Sequence, residues 1–310
     1  MSHRRWRQNV ASGAKLCRSL TRARCHILLT GCLFKLVTEN RSPLAEEKQR
    51  AREQWGEDPC GAVYGREHEF GTREFFDEVE RHRYTEYAPW MPEVMGFKDF
   101  AGARLLEVGC GMGTDLLQFA RGGASVTGVD LTPRSTQISR QHLEVYGARG
   151  DFAISDGENL PFADESFDVV YSNGVLHHTP DTAGAVREVH RVLRPGGQAR
   201  VMLYHRGSAA YWRDIILRHG VLHGELLRGH SPAEIMSRYV EFNESGGRPL
   251  VKVYSRRQAR KLFSMFSEVS IQVEQLTRPE LYFVGRFIPE GVFRSLRRSV
   301  GWNVIVAARK

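Results

Sequence analysis

Short apolar runs alternate with helical patterns through the middle of the chain. The runs are rich in the branched and aromatic residues typical of buried strands, and turn-forming residues bound them. They predict strands at 104–109, 125–130, 151–155, 167–173 and 198–204. Because helical patterns lie between these strands, we expect right-handed crossovers and a doubly wound parallel sheet. The pattern therefore predicts an α/β fold of the Rossmann-like type.

Capping residues mark several helix ends. Thr132 followed by a proline predicts a helix start and Gly147 its end, and Asp181 caps another helix whose valines share one face. The run Pro195-Gly196-Gly197 is expected to stop that second helix. Nearer the N-terminus, the pattern predicts helices at 45–54 and 72–84 and a turn-rich loop at 55–65.

The alternation breaks after Tyr204. Residues 206–250 hold an amphipathic, basic stretch and a second short helical pattern. A structureless connection of that length is uncommon inside a compact domain. We therefore expect this segment to form an inserted cap over the edge of the sheet. Strand patterns return at 269–273 and 302–308.

The composition is that of an ordinary globular chain. Of 310 residues, 41% are hydrophobic and 26% charged, which excludes a disordered or fibrous protein. Residues 1–38 carry eight Lys and Arg and no acidic residue, which accounts for the whole net charge of +8. Residues 39–200 hold 18 basic and 27 acidic side chains, whereas residues 201–310 hold 18 and nine. Beyond residue 38, the chain is therefore acidic up to residue 200 and basic from residue 201 to the end.

The cysteines and the apolar stretches of the sequence indicate the cellular compartment of the protein. Five cysteines without a CxxC pair favour neither a disulfide framework nor zinc, and no metal site is predicted. The longest apolar stretch, 27–37, is far shorter than the roughly 20 residues that cross a bilayer. These features predict a cytoplasmic protein. Residues 1–38 are interpreted as a basic, disordered extension, with a targeting peptide as the alternative.

The strongest chemical signal is the glycine loop after the first strand. Gly109, Gly111 and Gly113 lie between a strand and a helix. There, bare backbone lets a ligand approach, and the helix N-terminus offers unpaired N–H groups. A dinucleotide fingerprint requires glycine at the sixth position, which here is Thr114. The loop thus predicts a nucleotide-type ligand and disfavours a nicotinamide dinucleotide.

Acidic residues follow the next two strands at the same predicted edge of the sheet. Asp130 ends the second strand, where a carboxylate can accept both hydroxyls of an unphosphorylated ribose. The alternative for Asp130 is a helix-capping or solvent-facing role. Asp156-Gly157-Glu158 follows the third strand, where a carboxylate can accept the exocyclic amine of adenine.

Six motifs follow one another within residues 100–205: Glu107–Thr114, Gly128–Asp130, Ser155–Phe162, Phe167–Val170, Leu176–His178 and Leu193–Gly197. In order and spacing they resemble class I S-adenosylmethionine (SAM)-dependent methyltransferases, and most of all the small-molecule branch with the ubiquinone and menaquinone methyltransferases. The resemblance implies SAM as cofactor and a seven-stranded, mostly parallel sheet whose last strand is antiparallel. It implies that the glycine loop contacts the methionine moiety, that Asp130 binds ribose and that Asp156 binds adenine. The expected cofactor residues are Glu107, Gly109, Cys110, Gly111, Gly113, Thr114, Asp130, Leu131, Asp156, Gly157, Glu158 and Asn173.

A methyltransferase of this class transfers a methyl group to a small organic acceptor, here a phenol, a quinone, or a lipid-like or carrier-bound metabolite, by C- or O-methylation. Two alternatives stay open: a non-catalytic SAM-binding module, and a nicotinamide-dependent oxidoreductase, which the missing third glycine disfavours. The implied domains are a basic extension (1–38), an N-terminal helical cap (39–100), a SAM-binding core (101–205), an inserted cap (206–250) and a C-terminal completion of the sheet (251–310).

Methyl transfer to an oxygen, or to a carbon beside a phenol or enol, needs a base, and histidine titrates in the required range. His177 and His178 follow the fourth strand, and His205 follows the fifth beside Tyr204. We expect His177, His205 and Tyr204 to act at the acceptor, the alternative being capping or packing histidines. The basic last third suggests an anionic or carrier-bound acceptor, or at most peripheral contact with anionic lipid. No nucleic-acid partner is expected, since no recognition motif is present.

Overall fold

One mixed sheet organises the protein. A computed structural model describes residues 43–57, 59–240 and 249–310. Within these ranges the strands are β1 (Arg104–Val108), β2 (Ser125–Asp130), β3 (Gly150–Ile154), β4 (Phe167–Asn173), β5 (Leu193–His205), β6 (Val253–Tyr254), β7 (Glu268–Glu274) and β8 (Asn303–Arg309). Their order across the sheet is β3-β2-β1-β4-β5-β8-β7, and β6 pairs with the end of β5. β8 runs antiparallel to both of its neighbours, and the other pairs are parallel.

Helices connect the strands. In the described ranges they are α1 (Pro43–Glu57), α2 (Arg73–Arg81), α3 (Met91–Val94), α4 (Thr114–Arg121), α5 (Pro133–Val145), α6 (Thr182–Val192), α7 (Pro232–Tyr239), α8 (Arg256–Leu262) and α9 (Glu290–Val300). Short 3-10 helices cover Ala62–Gly65, Leu176–His178 and Pro279–Phe287, and π-helices cover His82–Tyr87 and Tyr211–Leu222.

Neighbouring residues of the central strands point to opposite cores. Leu105 of β1 belongs to a buried cluster with Leu116 and Phe119 of α4, whereas Leu106 belongs to a cluster with Val186 of α6. Because both faces are covered, the central strands are continuous apolar runs rather than alternating ones. The site must therefore lie at an edge of the sheet, where the strands end.

The predicted helix caps are present. Thr132 Oγ1 accepts a hydrogen bond from the Ser135 amide at 3.2 Å, and Asp181 Oδ1 accepts one from the Gly184 amide at 2.9 Å. The helices accordingly begin at the next residue in each case. Each cap satisfies one of the amides that a helix start leaves without an intrahelical partner.

The predicted α/β class and Rossmann-like sheet are confirmed, with two differences in detail. β5 begins at Leu193, directly after α6, instead of at the predicted residue 198, because Arg194–Gly197 form a bulge in the ladder with β4. Gly196 there has a φ of +76°, which glycine adopts without strain. The sheet has eight strands instead of seven because β6 was not predicted. This strand has only two residues, which are too few to give a strand pattern.

Residues 211–239 contribute two helices that pack together beside the end of β5. The π-helix 211–222 and α7 share a buried cluster that includes Ile215 and Ile235. Residues 241–248 of the predicted inserted cap, and the whole of the predicted extension 1–38, lie outside the described residues. No helix in the described part of the chain is long and apolar enough to cross a membrane.

Candidate active site

A cleft opens at the carboxyl ends of β1 to β5. The strand order reverses between β1 and β4, and ligands of open α/β sheets bind at such a switch point. The cleft has a volume of about 870 Å³, within the range of sites for drug-sized ligands. Lys48 and Trp55 of α1 line it on one side, and Ile215 of the π-helix 211–222 lines it on another.

The glycine loop presents bare backbone to this cleft. Gly109, Gly111 and Gly113 have φ values of +80°, +51° and +76°, which residues with a side chain rarely adopt. A Cβ at Gly109 would lie 2.2 Å from Cγ2 of Val175. A Cβ at Gly111 would meet no protein atom within 4 Å, and Gly111 lines the cleft. The loop thus leaves the space beside Gly111 to a ligand.

Asp130, at the end of β2, fixes the shape of the glycine loop. Its Oδ2 accepts from the Gly111 amide at 3.1 Å, and its Oδ1 accepts from the Thr132 amide at 2.9 Å. Burial raises the pKa of Asp130, although these hydrogen bonds act in the opposite direction. The same carboxylate therefore holds the loop and borders the cleft.

Asp156 and Glu158, after β3, share the ammonium group of Lys48. Lys48 Nζ lies 2.6 Å from Asp156 Oδ2 and 2.5 Å from Glu158 Oε2. Burial lowers the pKa of Lys48, but the two carboxylates outweigh burial and hold this pKa above its ordinary value. Helix α1 is thereby tied to the acidic residues at the adenine end of the predicted site.

Asp115, in the first turn of α4, collects four hydrogen bonds. Arg83 donates from Nε at 2.7 Å and from Nη2 at 2.6 Å, and the hydroxyls of Tyr84 and Tyr171 donate at 2.6 Å and 2.7 Å. Burial alone would raise the pKa of Asp115, but the guanidinium and the hydroxyls hold it below its ordinary value. This network fastens the segment after α2 to the helix that follows the glycine loop.

Two buried polar atoms beside the loop have no hydrogen-bond partner among the described residues. They are Glu107 Oε2, in β1, and Asn173 Oδ1, in β4. Burial raises the pKa of Glu107 well above its ordinary value. Both residues line the cleft. Buried polar atoms are normally satisfied by protein, ligand or ordered water, so the two atoms mark where a polar ligand fits.

Aromatic rings wall the other part of the cleft. The ring of Tyr204 lies 4.7 Å from that of Trp302, and the ring of Trp55 lies 5.8 Å from that of His178. All four residues line the cleft. His178 Nδ1 lies 2.7 Å from the carbonyl oxygen of Leu250. Because a carbonyl only accepts, Nδ1 carries the proton of the neutral imidazole and Nε2 is the basic nitrogen.

The sequence model of the family described as "Methyltransferase domain" matches residues 106–201. This range begins in β1 and ends in β5, and it contains the glycine loop, Asp130 and Asp156. Residues 106–201 form a class I SAM-dependent methyltransferase domain. Its cofactor is S-adenosylmethionine.

Curated relatives named as methyltransferases match part of this chain. An arsenite methyltransferase of Aquipseudomonas alcaligenes is 36% identical over 141 residues, which is 41% of this chain and 40% of the relative. A ubiquinone biosynthesis O-methyltransferase of Ruegeria pomeroyi is 33% identical over 145 residues, which is 47% of this chain and 54% of the relative. The match thus spans about half the length of these curated relatives.

A solved SAM-dependent methyltransferase from Methanosarcina mazei has the same fold. It covers 71% of this chain and 97% of its own at 20% sequence identity, with a TM-score of 0.51. The likeness extends beyond the segment that the family model matches, since 71% of the chain is more than residues 106–201.

The methyltransferase domain brings most of the expected cofactor residues to the cleft. Those that line it are Glu107, Gly109, Cys110, Gly111, Thr114, Asp130, Leu131, Asp156, Gly157 and Asn173. Gly113 and Glu158 are not among the lining residues: Gly113 is the N-cap of α4, and Glu158 bonds Lys48 and the Asp181 amide. Their contacts with the cofactor stay predictions.

The expected catalytic residues are divided between the cleft and the interior. Tyr204 lines the cleft, whereas His177 and His205 do not. His177 is fully buried, and burial lowers its pKa well below the ordinary value. The ring of His205 is bonded through Nδ1 to the carbonyl of Gly301 at 2.9 Å. His178 faces the cleft in place of His177 because consecutive residues of a 3-10 turn point in different directions.

Among the residues that line the cleft, sequence reasoning missed Lys48, Arg83, Asp115 and Trp302. Asp115 carried a detectable signal, since it is an acidic residue in the first turn of the helix that follows the glycine loop. The other three come from the N-terminal helices and from the residue before β8. Their approach to the cleft depends on tertiary packing, which local patterns do not report.

Proposed function

We propose that the protein transfers the methyl group of SAM to an oxygen of a small aromatic or enolic acceptor. The observation that carries this proposal is His178, whose tautomer makes Nε2 the basic nitrogen of a ring facing the cleft. The ubiquinone biosynthesis O-methyltransferases among the relatives support an oxygen acceptor.

The residues of the cleft suit the parts of SAM. The exposed backbone of Gly111 and the unpartnered oxygens of Glu107 and Asn173 would receive the methionine moiety. Asp130 would accept the ribose hydroxyls, and Asp156 the amine of adenine. Bound there, SAM supplies an electrophilic methyl group on a sulfonium.

Residues in the acceptor half of the cleft would deprotonate the acceptor hydroxyl and orient the acceptor. Nε2 of His178 takes the proton of the acceptor hydroxyl, and the Leu250 carbonyl keeps the imidazole in the required tautomer. The rings of Tyr204 and Trp302 provide flat apolar walls against which an aromatic acceptor packs. Holding donor and acceptor in line while excluding water supplies most of the rate enhancement in such a transfer.

A metalloid acceptor, as the name of the arsenite methyltransferase suggests for that relative, finds less support. The cysteines among the described residues are Cys60 and Cys110. Burial raises the pKa of the Cys110 thiol well above its ordinary value, which disfavours the thiolate that a soft acceptor prefers. The aromatic walls and His178 favour the oxygen acceptor.

The proposal is tested by incubating the full chain with SAM labelled in the methyl group and a panel of phenols, catechols, hydroquinones and carrier-bound acids. We expect label in an aryl or enol methyl ether, identified by mass spectrometry of the product. Label on carbon or nitrogen alone, or no transfer to any member of the panel, would contradict the proposal.

His178→Gln is expected to lower turnover about 100-fold because it removes the base, while SAM affinity changes less than about twofold. More acidic phenols, which need no base, are expected to recover most of the lost rate. His68→Gln, at an exposed histidine, is the matched control. An equal loss with phenols of every acidity would show that His178 is not a base.

Asp130→Ala is expected to weaken SAM binding roughly 10-fold to 100-fold, since the loop loses two backbone contacts and the ribose loses its carboxylate. Calorimetric titration with SAM measures the effect. Asp151→Ala, at an exposed position of β3, is the control and should bind SAM as the unchanged protein does. Unaltered affinity in Asp130→Ala would remove Asp130 from the site.

A further inference from the structure

The exposed apolar side chains of the protein are concentrated in two segments. Of 18 large apolar residues exposed in the described chain, 11 lie in residues 211–230 and 278–300. They are Trp212, Leu217, Val221, Leu222, Leu226 and Leu227 in the first segment, and Tyr282, Phe283, Val284, Phe287 and Val292 in the second. Leu227 is 89% exposed and Phe283 is 72% exposed. Apolar side chains concentrated in this way on a surface mark a contact with another body.

The two segments meet at the mouth of the cleft. Arg213 donates to the carbonyl of Glu280, and its guanidinium carbon lies 5.5 Å from the ring centre of Tyr282. Arg218 of the first segment and Glu280 of the second both line the cleft. We name the exposed side chains of 211–230 and 278–300 the rim, because both segments contribute a residue to the lining of the cleft.

The rim is also positively charged. Its two segments contain eight arginines against four acidic residues. Four of these arginines are exposed and form no ion pair within the described ranges: Arg218, Arg286, Arg294 and Arg298. Arg294 and Arg298 stand four residues apart on α9, and therefore on one face of that helix. Unpaired arginines beside exposed aromatic rings are complementary to an anionic, partly apolar partner.

We infer that the rim docks the protein onto an anionic lipid bilayer, with the mouth of the cleft facing the lipid. Aromatic rings at headgroup depth and arginines around them are the combination by which peripheral proteins bind membrane interfaces. A second copy of the chain fits less well, because a symmetric contact would set arginines against arginines. The docking implies that the acceptor is a lipid-soluble phenol or enol that reaches the cleft from the bilayer. This identification of the acceptor rests on the proposed function.

The docking is tested by flotation of the full chain with vesicles of phosphatidylcholine, with and without phosphatidylglycerol, in the absence of SAM. We expect binding to the vesicles that contain phosphatidylglycerol. A variant with Arg286→Gln, Arg294→Gln and Arg298→Gln should bind at least about tenfold more weakly and with a smaller dependence on salt. A variant with Phe283→Ser and Phe287→Ser should lose about tenfold in affinity while keeping the salt dependence.

Matched controls are Met265→Ser, at an exposed apolar residue away from the rim, and Arg149→Gln, at an exposed arginine beside β3. Both should bind vesicles as the unchanged protein does. Since residues 1–38 and their eight basic residues are present in every variant, a change in binding reports on the rim alone. Vesicle binding equal in the rim variants and the unchanged protein would overturn the inference, as would absence of binding to either vesicle.

Two further measurements separate this inference from the proposed function. The rim variants should methylate a water-soluble phenol at the normal rate but a vesicle-embedded phenol more slowly. If the unchanged protein binds vesicles yet methylates neither phenol, the proposed function fails and the docking stands. The inference would also be overturned if the unchanged protein were a dimer that binds no vesicles and the rim variants were monomers. That result would assign the rim to contact with a second copy of the chain.

Discussion

Gly109→Ala is expected to weaken SAM binding about 100-fold, and turnover at low SAM should fall in proportion. Two costs add at this position. The φ of +80° is strained for alanine by about 1 to 3 kcal/mol. The new Cβ would also lie 2.2 Å from Val175 Cγ2, so the loop or the start of the 3-10 turn must move. Either movement disturbs the backbone that faces the cofactor. Calorimetric titration with SAM is the measurement.

Gly147→Ala is the matched control for this prediction. Gly147 has a φ of +69°, and a Cβ there would meet no atom within 4 Å. Gly147 follows α5 and lies outside the cleft. Alanine at this position therefore introduces the backbone strain, but it neither clashes with a side chain nor approaches the cofactor. We expect a loss of stability of about 1 kcal/mol and unchanged SAM affinity. If both variants bind SAM equally well, the glycine loop is not the cofactor cradle.

Asp115→Ala is expected to lower the free energy of unfolding by about 3 kcal/mol, because Arg83 loses its counter-charge and the buried Tyr171 hydroxyl loses its acceptor. Urea denaturation measures the loss. Tyr171→Phe removes a single bond of the network and should cost about 1 kcal/mol. Asp164→Ala, whose carboxylate is 74% exposed and pairs with Arg191, should cost less than about 1 kcal/mol. Equal stability of Asp115→Ala and Asp164→Ala would contradict the account of this network.

The contribution of Asp115 is also expected to depend on pH. Its pKa is lower in the folded protein than its ordinary value of about 3.9. A group whose folded-state pKa is depressed stabilises the fold above its unfolded pKa and loses that contribution as the pH falls through the folded value. The stability difference between the unchanged protein and Asp115→Asn should therefore be constant above about pH 5 and shrink in more acidic solution. A difference that grows with acidification would contradict this sign.

The fold was predictable from sequence because its central strands are buried on both faces. Such strands read as compact apolar runs, so β2 and β4 fall at their predicted bounds. The caps at Thr132 and Asp181 are local contacts and were equally visible. β6 was missed because its two residues are ordered by pairing with β5, which is a tertiary effect. The start of β5 at Leu193 was missed, since Pro195, Gly196 and Gly197 are expected to end a helix and give no sign that they form a bulge within a strand.

The site residues at strand ends were predictable from sequence, whereas those brought to the cleft by tertiary packing were not. Asp130 and Asp156 belong to the edge that parallel strands share, so their meeting in one cleft follows from topology. The choice between His177 and His178 turns on the orientation of a single 3-10 turn, which the sequence pattern does not encode. Lys48 reaches Asp156 across 108 positions of the chain. Such a long-range ion pair has no local signature.

Calorimetric titration of the full chain with SAM, S-adenosylhomocysteine and NADH tests most directly whether this cleft binds SAM. The loop with Thr114 at its sixth position, Asp130 and Asp156 predict binding of both sulfur nucleotides with micromolar affinity and no binding of NADH. Gly109→Ala should bind neither sulfur nucleotide at the same concentrations. Binding of NADH, or equal affinity for SAM in Gly109→Ala and the unchanged protein, would contradict the account.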